Sequence, residues 1–130
     1  MTTKINIANM RDHLKAAQTT AASSARAIKG AASMATDPES HAINIATALW
    51  YSGQAIAYQT IESRYQYFCS ANGFGIWHDL IDLATTAQLQ ADAAQALGNS
   101  TMTEVLKGMA EAYQHIADSI SNNKWEEDNQ

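Results

Sequence analysis

The chain has 130 residues, a net charge of −5, one proline, six glycines and a single cysteine. That length gives one domain with a core that needs no staples, and the scarcity of helix breakers favours helices over sheets. Cys69 alone excludes an internal disulfide, and no apolar run reaches the roughly 18 residues of a membrane span.

The first residues, MTTKINIANMRDH, lack the apolar stretch of a secretory leader. With the lone cysteine they set the expectation of a cytoplasmic protein, in its own cell or, for a virus-encoded chain, in the host cytoplasm. The acidic balance speaks against general nucleic-acid binding. Yet the charge is uneven. Residues 1–30 carry Lys4, Arg11, Lys15, Arg26 and Lys29 against Asp12 alone, while everything beyond holds Arg64, Lys107 and Lys124 against twelve acidic residues.

Ile7, Met10, Leu14, Ala17, Ala21, Ser24, Ile28 and Ala31 step by threes and fours, which predicts a first helix with one packing stripe. Its basic residues, Lys4 included, fall within an arc of about 60°, roughly 110° around from that stripe. Such a ridge suits ion pairs with a neighbouring helix or subunit, or an anionic partner met by Arg11, Lys15, Arg26 and Lys29. Thr36-Asp37-Pro38-Glu39 then reads as a stop and a restart, with Asp37 as cap and Pro38 in the first turn.

The second helix is expected from Pro38 to about Ala71. Its apolar arc is wider than a surface helix needs, so it sits centrally or gives one side to another chain. Gly53 and Ala57 would allow close contact on that side. Tyr51, Tyr58 and Tyr65 recur at sevens, a pattern that fits core-edge packing, a protein interface or a ring-stacking ligand site. Cys69, on this apolar helix, reads as packing.

Asn72-Gly73-Phe74-Gly75 predicts a turn. A third helix follows with Ile76, Leu80, Leu83, Ala87, Ala94 and Leu97 on its core stripe, ending at Gly98-Asn99 in a left-handed cap. Thr101-Met102-Thr103-Glu104 has the spacing of a capping box. It starts a fourth helix with Met102, Val105, Met109, Ala112, Ile116 and Ile120 inward. Glu104, Glu111 and Asp118 form an acidic row on its outer side, with His115 close by. Residues 122–130 are expected to be a flexible acidic tail, although Trp125 is an odd residue to leave in water.

Short connections make successive helices antiparallel neighbours. The predicted fold is therefore all-α, a four-helix up-down bundle over residues 1–121, with completion by dimerisation as the rival. Its four histidines sit one per helix, without the i, i+3 or i, i+4 pairs of a helical metal site, and Glu-x-x-His motifs are absent. No catalytic, metal or cofactor-binding residue is expected.

The function these residues favour is a non-enzymatic protein–protein interaction or assembly module. An adaptor, an assembly subunit or a small inhibitor from a phage or mobile element would each fit. It would meet itself or a partner through Trp50, Tyr51, Tyr58, Ile61, Tyr65 and Phe68, which makes a homo-oligomer the expected state. The alternative is a binder of an anionic ligand, nucleic acid or nucleotide signal, on the basic ridge.

Overall fold

The computed structural model describes residues 4–127. It places four helices, α1 (Ile7–Met34), α2 (Pro38–Tyr65), α3 (Gly73–Ala96) and α4 (Ser100–Ser121), and two short strands, β1 (Lys4–Asn6) and β2 (Ser70–Asn72). Together they form an up-down bundle in which α1 packs on α2, α2 on α4 and α4 on α3.

Local chemistry sets most of the boundaries. Asp37 caps α2, accepting from the Glu39 and Ser40 amides at 2.9 and 3.3 Å, with Pro38 in the first turn as predicted. The Ser40 hydroxyl, then the Glu39 amide, hold the Asp37 carboxyl below its ordinary range. Gly98 ends α3 at φ +75, the left-handed conformation expected of it. Two starts differ from expectation. Asn72 caps α3, accepting from Phe74 and Gly75, so Gly73 is already helical. Asn99, just upstream, accepts from the Met102 amide and caps α4 in place of the Thr101 capping box.

Three corrections concern the base of the bundle, where Lys4 and Glu127 meet. First, α2 ends at Tyr65, not Ala71, because the residues after it are recruited elsewhere. β1 pairs antiparallel with β2, Ile5 opposite Ala71, and the Ile7 amide donates to the Cys69 carbonyl. Second, Lys4 therefore belongs to a strand and not to the α1 wheel, and Cys69 lies exposed outside the helix. Third, residues 122–127 are tied to β1 by backbone hydrogen bonds, with Trp125 alone buried among them. Ile5 bridges to Glu126, the Asn6 amide donates to the Trp125 carbonyl at 2.8 Å, and Trp125 is only 6% exposed. The remainder of the expected flexible tail, 128–130, lies outside the described residues.

The core is graded along the bundle. Its large fully buried side chains are Ile5, Ile7, Met10, Leu14, Ile61, Ile76, Leu80, Ile116 and Ile120, all from the base. Toward the α1–α2 and α3–α4 loops, buried positions are mainly small, such as Ala25, Ala32, Ala48, Ala87 and Ala91. Met102 and Leu97, expected inward, are exposed there. The wide arc of α2 is used within the chain, between α1 and α4. In turn α4 is buried on a broad face, Leu106, Ala110, Tyr113 and Ala117 included, because it lies between α2 and α3.

Gly53 and Gly108 fix the α2–α4 crossing. A Cβ on Gly53 would overlap the Val105 carbonyl oxygen, and one on Gly108 would overlap that of Trp50. The two backbones are thus in direct contact, closer than the 8–10 Å axis separation usual for side-chain packing. Gly108→Ala must push the helices apart, and overpacking of this kind costs about 3 kcal/mol. Thermal melts followed by circular dichroism should show a midpoint lower by about 10 °C. Gly30→Ala, at an exposed site with open space around it, should not lower it.

Candidate functional site

The basic ridge does not survive intact as a site. Arg11 turns inward, and its Nη2 donates to the carbonyls of Tyr65, Gln66 and Phe68 at 3.2, 2.7 and 3.2 Å. Those carbonyls lie at and just past the α2 terminus, where a helix leaves acceptors unpaired and favours a cation. Arg11 is therefore the C-terminal clasp of α2. Lys15 Nζ lies 4.0 Å from Glu62, and Arg26 donates to the Ser23 hydroxyl at 3.4 Å. The groove beside Lys15 and Arg26 includes Glu62 in its lining, a carboxylate that repels an anionic ligand. Only Lys29 remains an exposed cation of the four with no side-chain partner among the described residues.

The six aromatic and apolar residues also divide. Ile61 is fully buried and Tyr58 nearly so, which places both in the core instead of on a docking surface. Trp50 is half-buried and bridges to α4, its indole N–H donating to Glu111 Oε2 at 2.5 Å, while Tyr51 meets the Trp50 ring edge-on at 4.9 Å. Tyr65 and Phe68 sit at the base, 5.8 Å apart. The Tyr65 hydroxyl donates to Asp79 at 2.7 Å, and Arg64 pairs with the other oxygen of the same carboxylate. Burial, then the Asp79 contact, pushes the Tyr65 phenol up, so it stays a neutral donor. Asp79 thus fastens the end of α2 to the start of α3. The sequence pattern held no sign of it, since its partners lie on another helix.

Each carboxylate of the α4 acidic row has a partner within the chain, two on α4 and one on α2. Glu104 lies 3.9 Å from Lys107, Glu111 takes the Trp50 indole, and Asp118 accepts from Gln114 at 2.9 Å. None of these partners is on α1. His115 instead approaches His13 of α1, ring centroids 6.3 Å apart, and His13 lies 5.3 Å from the Trp125 ring. Lys124 stands over the other part of this cluster, 5.3 Å from the same indole. Among the described residues, no group of three or more His, Cys, Asp or Glu side chains is placed to hold a metal ion. No helix among them is long and apolar enough to cross a membrane.

No family model matches the chain, and neither the curated proteins nor the solved structures compared with it give a match.

The His13 cluster makes the fold sensitive to acid. Burial first, then Lys124 and His115, lower the His13 pKa from its ordinary 6.5. The native state therefore binds this proton less readily than the unfolded chain. The stability tied to neutral His13 is complete above about pH 6.5 and is lost as pH falls through the lower native value. Melting temperatures measured between pH 7.5 and 5 should drop on the acid side, and His13→Gln should flatten that drop. An unchanged profile in the variant would refute the assignment.

Proposed function

We propose that this is a non-enzymatic helical assembly module whose partner is a second copy of the chain, met at the loop end of the bundle. The carrying observation is a cluster of exposed large apolar side chains there. Met34 and Leu97 are 83% and 85% exposed, and Ile43, Leu89 and Met102 are also open. All four helices contribute. The base exposes Tyr67, Phe68 and Phe74 around the α2–α3 connection, so what sets the loop end apart is that every helix contributes to it, as an interaction surface spanning the bundle end would require.

Both signs of charge border this end. Arg26 and Lys29 of α1 share it with Asp37 and Glu39 of the α1–α2 turn, and Asp92 and Glu104 of α3 and α4 share it with Lys107. A copy turned by a two-fold axis can place opposite charges around the apolar patch, as an isologous interface requires. Trp50 borders a groove with Ile43 and Glu104 that runs in from this end, so one residue of the expected interface is retained. The anion-binding reading loses ground for the complementary reason: Arg11 is used within the fold, and Lys15 faces Glu62.

Sedimentation equilibrium at tens of micromolar should give the mass of two 14.1 kDa chains. Leu97→Asp should return a monomer with unchanged helicity, since Leu97 is exposed and outside the core. An apolar interface should persist at 0.5 M salt, whereas phosphate-type contacts would weaken steeply. A monomeric parent chain, or a Leu97→Asp variant with the parent's mass, would overturn the proposal.

A further inference from the structure

We propose that residues 122–127 form an acid-released strap, docked on the base while His13 is neutral and set free when it takes a proton. The strap turns back at Asn123, whose φ of 58° is the left-handed conformation that closes off α4. It then runs along β1. The Asn6 amide donates to the Trp125 carbonyl and the Glu127 amide to the Lys4 carbonyl, both at 2.8 Å. Trp125 is buried, whereas Asn122, Asn123, Lys124 and Glu126 are exposed. One buried side chain and a pair of strand bonds thus tie the far end of this segment down. It can leave while the four helices stay packed on one another.

What the strap rests on is titratable. Trp125 lies 5.3 Å from the His13 ring of α1, and His13 lies 6.3 Å from the His115 ring of α4. Lys124 Nζ stands 5.3 Å from the centroid of the same indole. Burial weighs most against a proton on His13, followed by the Lys124 charge and then His115. The strap brings the Lys124 charge itself and, through the Trp125 ring, part of the cover. A proton on His13 and a docked strap therefore oppose each other. An imidazolium beside an indole gains some attraction, but Lys124 already stands over that ring and the net direction for His13 is downward.

No other element compensates. Tyr51, Gln54 and Tyr58 of α2 lie beside His13 and carry no charge in this range. On α4, Glu111 is engaged by the Trp50 indole and Asp118 by Gln114. Asp12 precedes His13 on α1, and Lys4, Glu126 and Glu127 are the remaining charges of β1 and the strap. Among the described residues, no carboxylate pairs with His13 or His115. In the docked state the His13 pKa lies below 6.5, so the released state binds the proton more readily. Docking is at full strength above about pH 6.5 and weakens as pH falls through the docked His13 value. Exposed carboxylates stay ionised down to about pH 5, so the window belongs to histidine. Release frees the Asn6 amide and the Lys4 carbonyl, which opens one edge of β1.

The test is amide hydrogen exchange of the isotopically labelled full chain at pH 7.5 and 5, read as protection factors to remove the intrinsic pH dependence. The Asn6 and Glu127 amides should lose protection several-fold on the acid side, while those of Gly53 and Gly108 at the α2–α4 crossing keep theirs. His13→Gln, neutral at both pH values, should hold the strap down throughout. Lys124→Gln, at an exposed site, should keep the fold and lessen the loss. Trp125→Ala should raise the His13 pKa toward 6.5 in an NMR titration. The proposal falls if Asn6 and Glu127 stay protected in acid, if His13→Gln loses them as the parent does, or if Trp125→Ala leaves the His13 pKa in place. It also falls if the crossing amides are lost in step, since acid would then unfold the whole chain. Should His13→Gln fail to fold, an undiminished loss in Lys124→Gln overturns it equally.

Discussion

The contact between Gly53 of α2 and Gly108 of α4 is the constraint on which the rest of the bundle depends. Each glycine receives the other helix's backbone, a carbonyl oxygen seated where a side chain would begin. With these two helices fixed at backbone distance, α1 packs on the free flank of α2 and α3 on the free flank of α4. Both central helices are then flanked on two sides, which explains the wide apolar arc of α2 and why α4 buries ten of its residues. The burial is uneven, for α2 buries five and leaves Ile43 and Ile56 exposed.

A backbone-tight crossing leaves no room for large side chains beside it, so volume has to be placed elsewhere. It goes to the base, where isoleucines and leucines from every helix converge with Trp125 and Ile5. Full burial of each such side chain stabilises by about 2 kcal/mol. The same end gathers the long-range polar fastenings, namely Arg11 on the α2 carbonyls and Asp79 on Arg64 and Tyr65. The loop end is packed mainly with alanine, Leu106 and Thr103 of α4 being the larger buried side chains there. Packing volume and long-range fastenings are therefore concentrated toward the base of the bundle, which makes the loop end the part of the helical bundle that opens at least cost.

Legibility in the sequence followed the range of the interaction. Asp37-Pro38 and Gly98 act within one turn, and their roles were readable because cap geometry is local. The helical period gave the four helices and much of the base core. It failed where the deciding partner was distant. The end of α2 is set by Arg11, more than fifty residues upstream, and by a strand pairing of three residues that no propensity could show. Trp125 was visible as an anomaly, but its place beside His13 needs the fold. The basic ridge misled for the same reason: four cations on one arc look equivalent on a wheel, yet Arg11 points inward.

The tyrosine repeat shows how one periodic signal can carry three different chemistries. Tyr51, Tyr58 and Tyr65 share a line on α2, but they meet different surroundings as the helix passes from loop end to base. Tyr65 reaches Asp79 and becomes part of the fold's fastening. The Tyr58 ring is buried while its hydroxyl reaches solvent, and Tyr51 stands half-open beside Gln54. The change from a fastened tyrosine to open ones falls where leucine gives way to alanine on the facing stretch of α1, from Leu14 to Ala17 and Ala21. Had that stretch continued with large residues, the groove between α1 and α2 would be filled and both upper tyrosines would lie deeper. The alanine run that makes α1 look featureless is thus what leaves the upper part of the tyrosine line at the surface, so one repeat serves the fold at its base and the core edge above it.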